Sequence, residues 1–126
     1  MIKILVDTDI IIDFLRTGQG IFPSLFDFQQ KRTVELYIST ITILELFSGS
    51  SSKKDQDPSR LISTMKVVEF NTDVAKFAGE LKRDNAIVIA FADLIIGSSA
   101  LYINAKILTK NKKHFRLIPG LKFYSN

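Results

Sequence analysis

The sequence predicts an α/β protein with helices covering both faces of a mostly parallel sheet. The chain has 126 residues, 46% of them hydrophobic, which is enough for one domain with one sizeable core. Strand-like apolar runs alternate with helix-like segments, and strands joined through helices pair in parallel. The first run, "KILV", is almost continuously apolar, as expected of a strand buried on both faces. We therefore expect a single domain over residues 1–126.

The first half of the chain predicts the order strand, helix, helix, strand, helix. Thr8 or Asp9 is the predicted cap of the first helix, and Ser39 or Thr40 that of the third, because these side chains accept hydrogen bonds from free backbone N–H groups. Pro23 fits the first turn of the second helix. The predicted segments are a strand at 2–6, a helix to about residue 16, a helix at 21–31, a strand at 34–39 and a helix to about residue 48.

The second half begins after a loop-like segment, residues 48–59, that is rich in Ser, Lys and Asp. Thr72 is the predicted cap of an amphipathic helix that follows the third strand. The predicted segments are a short helix at 59–65, a strand at 66–70, helices at 73–83 and about 90–103, a strand at 105–109 and a last strand at 121–125.

Composition excludes several kinds of protein. The chain has no cysteine, so it can form neither disulfides nor a thiolate zinc site. The N-terminal segment lacks the uninterrupted apolar core of a secretory signal. Residues 86–103 are long enough to span a membrane, but Asp93 lies near their middle, where an acid costs roughly 2.5–3.5 kcal/mol. We expect a cytoplasmic protein that does not enter a membrane.

Three carboxylates occur where an isolated charge would be costly. Asp7 ends the first predicted strand, at the carboxyl edge where open α/β sheets bind their ligands and where water and cations should reach it. Glu45 lies one to two turns into an apolar helix, and Asp93 is the only charge in its 18-residue run. Neither Glu45 nor Asp93 has a basic residue within four positions. We therefore expect Asp7, Glu45 and Asp93 to converge on a shared cation.

The other two acids near the N-terminus have simpler explanations. Asp9 stands at the start of the predicted first helix, where a cap is needed. Asp13 follows one helical turn later and is expected to face solvent.

An oxygen-only site with a single histidine in the chain favours Mg²⁺ or Mn²⁺ over Zn²⁺. Such an ion could orient a water, lower its pKa and offset charge on a leaving oxygen, which is chemistry for hydrolysing a phosphodiester. The net charge is +4, and no acid follows Asp93. The basic C-terminal region could hold flanking phosphates, with a solvated basic face as the alternative.

Four segments together resemble a PIN domain: "ILVDTDIIIDFL", "ISTITILELFSG", "FADLIIGSSALYINAKILTKNKKHF" and "RLIPGLKF". In their order and spacing they are similar to small toxin ribonucleases of the VapC type. The resemblance implies a three-layer α/β/α sandwich with a mostly parallel central sheet. It also implies a Mg²⁺- or Mn²⁺-dependent endoribonuclease that acts on RNA, forms homodimers and is held inactive by a cognate antitoxin.

The resemblance also assigns residues. Asp7, Glu45 and Asp93 match the family's three metal-binding, catalytic acids. Thr8 matches a small hydroxyl residue, and Asp9 a position that is more often Asn or Ser; both are expected to position the ligands from outside. The predicted RNA contacts are Lys110, Lys112, Lys113 and Arg116.

One segment departs from the family pattern. Asn111 stands where a fourth acid is common, and His114 where another acid often precedes Phe. Asn carries no negative charge, so we expect Asn111 to act from outside the ligand set. A second metal ion would be held more loosely, so we expect one bound ion and not two. His114 has a simpler interpretation as a surface residue.

Two other classes of protein compete with this interpretation. The motif "VDTDII" also occurs in haloacid-dehalogenase-like phosphatases, but these need a later Gly-Asp followed by another acid, and Asp93 is preceded by Ala92. A receiver domain needs an Asp at the end of the third strand, where this chain has Phe70 and Asn71. A PIN-fold RNA-binding or interaction module without catalytic activity is the non-enzyme alternative.

Overall fold

A computed structural model of the protein describes residues 1–49 and 57–125. Its sheet has four strands in the order β3–β2–β1–β4, and every pairing is parallel. The strands are β1 (Ile2–Val6), β2 (Val34–Ser39), β3 (Lys66–Val68) and β4 (Lys106–Leu108). The predicted α/β architecture with a parallel sheet is confirmed.

Seven helices connect and flank the strands in the described part of the chain. Two of them follow β1, two lie between β2 and β3, the longest two connect β3 with β4, and the last follows β4. They are α1 (Thr8–Thr17), α2 (Phe22–Gln30), α3 (Thr40–Ser48), α4 (Ser59–Ile62), α5 (Thr72–Asn85), α6 (Phe91–Tyr102) and α7 (Lys112–Phe115). None of the described helices is both long and apolar enough to cross a membrane.

Side-chain alternation along β1 divides the core into two halves. Ile4 and Val6 pack with Phe22 on one face of the sheet, whereas Leu5 packs with Ile96 on the other. All five of these side chains have an exposed fraction of 0–1%. Because both faces of β1 are buried, the strand is continuously apolar, and the molecule has the three layers of an α/β/α sandwich.

Two predicted helix caps are wrong by one or two residues. Asp7, and not Thr8 or Asp9, caps α1: its backbone is extended and its Oδ1 accepts a 2.8 Å hydrogen bond from the Thr8 amide. Likewise Asn71, and not Thr72, caps α5 by accepting a 3.0 Å bond from the Val74 amide. A cap must keep non-helical dihedrals, and Thr8, Asp9 and Thr72 already lie within their helices.

The C-terminal region differs most from the prediction. Residues 121–125 do not form a strand: one parallel bridge joins Phe123 to Ile107, the middle residue of β4. Helix α7 was not predicted from the sequence, because its four residues are too few to show helical periodicity. The predicted loop at 48–59 lies largely outside the described residues.

Candidate metal centre at the carboxyl edge of the sheet

Asp7 lies at the junction of β1 and α1 and is almost completely buried, with an exposed fraction of 5%. Its Oδ1 accepts from the Thr8 amide, and its Oδ2 accepts a 2.7 Å bond from the Thr109 hydroxyl, which follows β4. The adjacent pairing of β1 with β4 therefore brings Asp7 and Thr109 together across 102 residues of sequence. Asp7 is thus less exposed to water than the sequence predicted, while its access to cations stays a prediction.

Burial raises the pKa of Asp7 from its ordinary value of 3.8 to about 7. The hydrogen bonds from Thr109 and Thr8 oppose this rise, while the nearby charge of Asp9 adds to it. A carboxylate with this pKa is poorly stabilised as an anion by the protein alone. A bound cation would offset both the cost of burying the Asp7 charge and the repulsion between Asp7 and Asp9.

Asp9 shares this pocket with Asp7 and does not cap the helix. One of its oxygens, Oδ2, accepts a 3.2 Å bond from the Lys110 amide. The other, Oδ1, is buried and receives no hydrogen bond from any donor in the described residues. A hydrogen bond between Asp7 and Asp9 requires that one of the two carboxyls is protonated. This bond favours the protonated form of Asp7 and is therefore one cause of its raised pKa. With both groups ionised, a buried oxygen faces the pocket without a donor.

Glu45 of α3 is connected to this region through Thr8, the residue that follows Asp7. Its Oε1 accepts a 2.7 Å bond from the Thr8 hydroxyl, and Thr8 in turn lies 3.0 Å from the Thr42 hydroxyl, oxygen to oxygen. Thr42 and Glu45 are three positions apart and so share one face of α3. Thr8 therefore connects the start of α1 with α3 and fixes the Glu45 carboxylate to the residue that follows Asp7.

Asp93 lies in the first turn of α6 and pairs with His114. The His114 Nδ1 is 3.3 Å from the Asp93 Oδ2, and the Asp93 side chain is 23% exposed. His114 is thus a partner of a predicted ligand and not only a surface residue. It belongs to α7, which begins directly after the segment that carries Thr109. The segment from Thr109 to His114 consequently touches both Asp7 and Asp93.

The predicted meeting of all three acids stays a prediction. In the described residues no hydrogen bond joins Asp93 to Asp7 or Glu45, and no three His, Cys, Asp or Glu side chains form a group arranged for a metal ion. The Asn111 backbone amide donates a 2.9 Å hydrogen bond to the Thr109 hydroxyl, and residue Asn111 is exposed.

Sequence reasoning missed two hydroxyl residues and one ion pair of this pocket. Thr42 could have been found, because it is a polar residue three positions before Glu45 in an apolar helix. Thr109 could have been found at the end of β4, next to the end of β1. The Lys110 ammonium pairs with the Asp13 carboxylate, so Asp13 is half-exposed but not free in solvent. No local pattern indicates that pair, since it joins residues 97 positions apart.

The basic residues after β4 are mostly exposed. The Lys110 ammonium pairs with the Asp13 carboxylate, and the Lys110 backbone amide donates a hydrogen bond to Asp9. Lys112, Lys113 and Arg116 are exposed and form no ion pair with an acid of residues 1–49 or 57–125. They are free to contact a polyanion.

A comparison with protein families identifies this architecture. Residues 4–121 match the model of the PIN domain. The chain belongs to the PIN domain family. Membership confirms the resemblance seen in the sequence and excludes the haloacid-dehalogenase-like and receiver alternatives.

Individual relatives agree with this assignment. Ribonuclease VapC2 of Rickettsia felis is 35% identical, with 67% of this chain and 69% of the relative covered. Ribonuclease VapC1 of Methanocaldococcus jannaschii is 32% identical, with 97% of this chain and 87% of the relative covered. A crystal structure of VapBC2 from Rickettsia felis, bound to a promoter DNA fragment, contains a chain with the same fold, at a TM-score of 0.80, 24% identity and 98% coverage of both chains.

Proposed function

We propose that this PIN domain is a metal-dependent endoribonuclease and the toxin of a toxin–antitoxin pair. The observation that carries the proposal is the close pair of acids Asp7 and Asp9 at the carboxyl end of β1, in a chain whose relatives are named ribonucleases. Within this pair the Asp9 Oδ1 is buried without a hydrogen-bond donor from the described residues, and the pKa of Asp7 is raised to about 7. Both features fit a divalent cation.

Mg²⁺ or Mn²⁺ is the cation that suits these donors, because every candidate ligand is a carboxylate oxygen. When bound, such an ion activates a water and offsets negative charge on the phosphodiester. Asp7, Glu45 and Asp93 are the proposed ligands and catalytic acids. We add Asp9 to the ligands, since its free oxygen lies in the pocket and the Lys110 amide fixes the other.

The remaining polar residues hold these acids in place. Thr109 and the Thr8 amide fix the two oxygens of Asp7, and the Thr8 hydroxyl fixes Glu45. His114 restrains Asp93 from the side of α7. The exposed cations after β4, led by Lys112, Lys113 and Arg116, are the proposed contacts for phosphates beside the cut.

A partner protein follows from the same comparison. The neighbouring structure from Rickettsia felis is a VapBC2 complex bound to DNA. We propose that this chain likewise binds a cognate antitoxin that blocks the acidic pocket, and that the toxin itself is a homodimer in the cytoplasm.

The test is cleavage of RNA by the purified protein. We expect cleavage with Mg²⁺ or Mn²⁺, none in excess EDTA, and at least a hundredfold loss in Asp7→Asn and Asp93→Asn. The matched control is Asp73→Asn, which neutralises an exposed acid in the first turn of α5 and should leave the rate unchanged.

Purifying all variants by the same procedure separates this activity from a contaminating ribonuclease. Cleavage that persists in EDTA or in both pocket variants would refute the metal mechanism. RNA binding without any cleavage by the wild type would favour the inactive RNA-binding module.

A further inference from the structure

A second charged feature lies at the opposite edge of the sheet. A cavity of about 310 Å³ opens where β1 and β4 begin, and its lining includes Lys3, Lys106 and Lys122. The other lining side chains are apolar or neutral, and none is an acid. The cavity is thus a cationic pocket remote from Asp7, and we call it the amino-edge pocket.

Backbone pairing brings the three lysines together from distant parts of the chain. Lys106 is aligned with Ile4 in the β1–β4 pair, so it lines the pocket from the sheet face opposite that of Lys3. The Ile107 amide donates a 2.9 Å bond to the Lys122 carbonyl, which places Lys122 beside the start of β4. The Lys3 ammonium donates a 3.3 Å bond to the Ile103 carbonyl. The positions of these lysines therefore follow from the sheet itself.

Two of the three lysines of the amino-edge pocket, Lys106 and Lys122, form no ion pair with an acid of the described residues. Glu35 lies opposite Lys3 in the β1–β2 pair, but its carboxylate is bound by Lys66 and Tyr37. Lys106 and Lys122 thus keep unpaired charges beside one cavity, and an anion with several oxygens would offset them.

We propose that the amino-edge pocket binds phosphate groups, and specifically backbone phosphates of the RNA beyond the cleavage site. This choice of source rests on the proposed function; a free polyphosphate has the same chemistry. From Lys3 to Asp7 the strand rises about 13 Å, at roughly 3.3 Å per residue. A stacked strand advances about 3.4 Å per phosphate, so the pocket would hold RNA about four or more nucleotides from the cut.

The experiment measures binding of a labelled 20-nucleotide single-stranded RNA by fluorescence anisotropy in EDTA, where the proposed cleavage cannot occur. For the double variant Lys106→Gln/Lys122→Gln we expect about tenfold weaker binding. We also expect the slope of log K against log salt to become shallower by about 1.4, because each phosphate that a lysine neutralises contributes roughly 0.7 to that slope. Lys106→Arg/Lys122→Arg should restore both values.

Lys76→Gln, which removes a lysine from α5 on another part of the molecule, is the control for net charge and should leave the slope unchanged. A second arm titrates inorganic pyrophosphate and follows the amide NMR signals of Asn104 and Gly120, which line the pocket. One outcome is that pyrophosphate causes saturable shifts in the wild type but not in the Gln variant, while the salt slope of RNA binding is the same in both. That outcome would overturn the assignment to RNA and indicate a free polyphosphate as the occupant.

The proposal is also overturned if the Gln variant binds RNA like the wild type and pyrophosphate shifts neither amide. It is equally overturned if Lys76→Gln, which removes one charge where the double variant removes two, lowers log K by half as much, because net charge alone would then explain the effect. Because these measurements are made without metal, they are independent of whether the protein cleaves RNA.

Discussion

Replacing Asp7 with Asn tests how strongly its buried charge destabilises the metal-free protein. Burial raises the pKa of Asp7 to about 7 in the folded state, against 3.8 ordinarily. The folded state thus holds this proton more tightly than the unfolded chain. The stability that protonated Asp7 contributes is fully present below about pH 3.8 and is lost as the pH rises to about 7.

The size of the effect follows from that difference. At 1.36 kcal/mol per pH unit, the rise from 3.8 to about 7 corresponds to about 4 kcal/mol. Asn is neutral at every pH and is a good helix cap, so Asp7→Asn removes the penalty while its oxygen still accepts from the Thr8 amide. Relative to wild type, the variant should therefore gain up to about 4 kcal/mol in unfolding free energy between pH 4 and pH 8.

Urea unfolding in EDTA at pH 4, 6 and 8 measures this difference. Added Mg²⁺ at pH 8 should stabilise the wild type and leave the Asn variant unchanged, because the cation needs the carboxylate. Asp73→Asn is the control and should show no comparable pH dependence. A constant difference between wild type and Asp7→Asn across this pH range would refute the argument from burial.

Two further predictions concern packing and physiology. A Cβ at position 97 would lie 2.3 Å from the Ile118 Cδ1, so Gly97→Ala should lower the unfolding free energy by about 1–3 kcal/mol in thermal or urea unfolding. A Cβ at position 79 on α5 meets no atom within 4 Å, so Gly79→Ala should raise the unfolding free energy by up to about 1 kcal/mol. Equal effects of the two substitutions would contradict this packing. Expression of the wild type should slow bacterial growth, and Asp93→Asn at equal soluble expression should not; normal growth with the wild type would count against a toxin.

The fold could be predicted because its decisive signals are local. The apolar run that ends at Asp7 is a strand buried on both faces, and its alternation with amphipathic helices requires parallel pairing. The predictions failed where the signal was short or depended on pairing. Four residues of α7 show no periodicity, and the segment around Phe123 forms only one bridge because it meets β4 at a single residue.

The site could be predicted in part. The position of Asp7 follows from the strand-end rule, and the contact of Glu45 with Thr8 follows once both are placed above the same edge. The contacts of His114 with Asp93 and of Lys110 with Asp13 could not be predicted, since they depend on how the segment after β4 folds back over the pocket. Asp7 caps α1, but the sequence favours Thr8 or Asp9 for that role. The reason is that no local pattern fixes which of these residues is the last one before the helix.

The most direct test of the account is a crystal structure of the protein soaked in Mn²⁺, with the ion located by its anomalous scattering. We predict a peak within coordination distance of Asp7, with Asp9, Glu45 and Asp93 contributing ligands directly or through water. An ion bound elsewhere, or a pocket that stays empty at pH 8 and millimolar Mn²⁺, would contradict the claim that these acids form a metal centre.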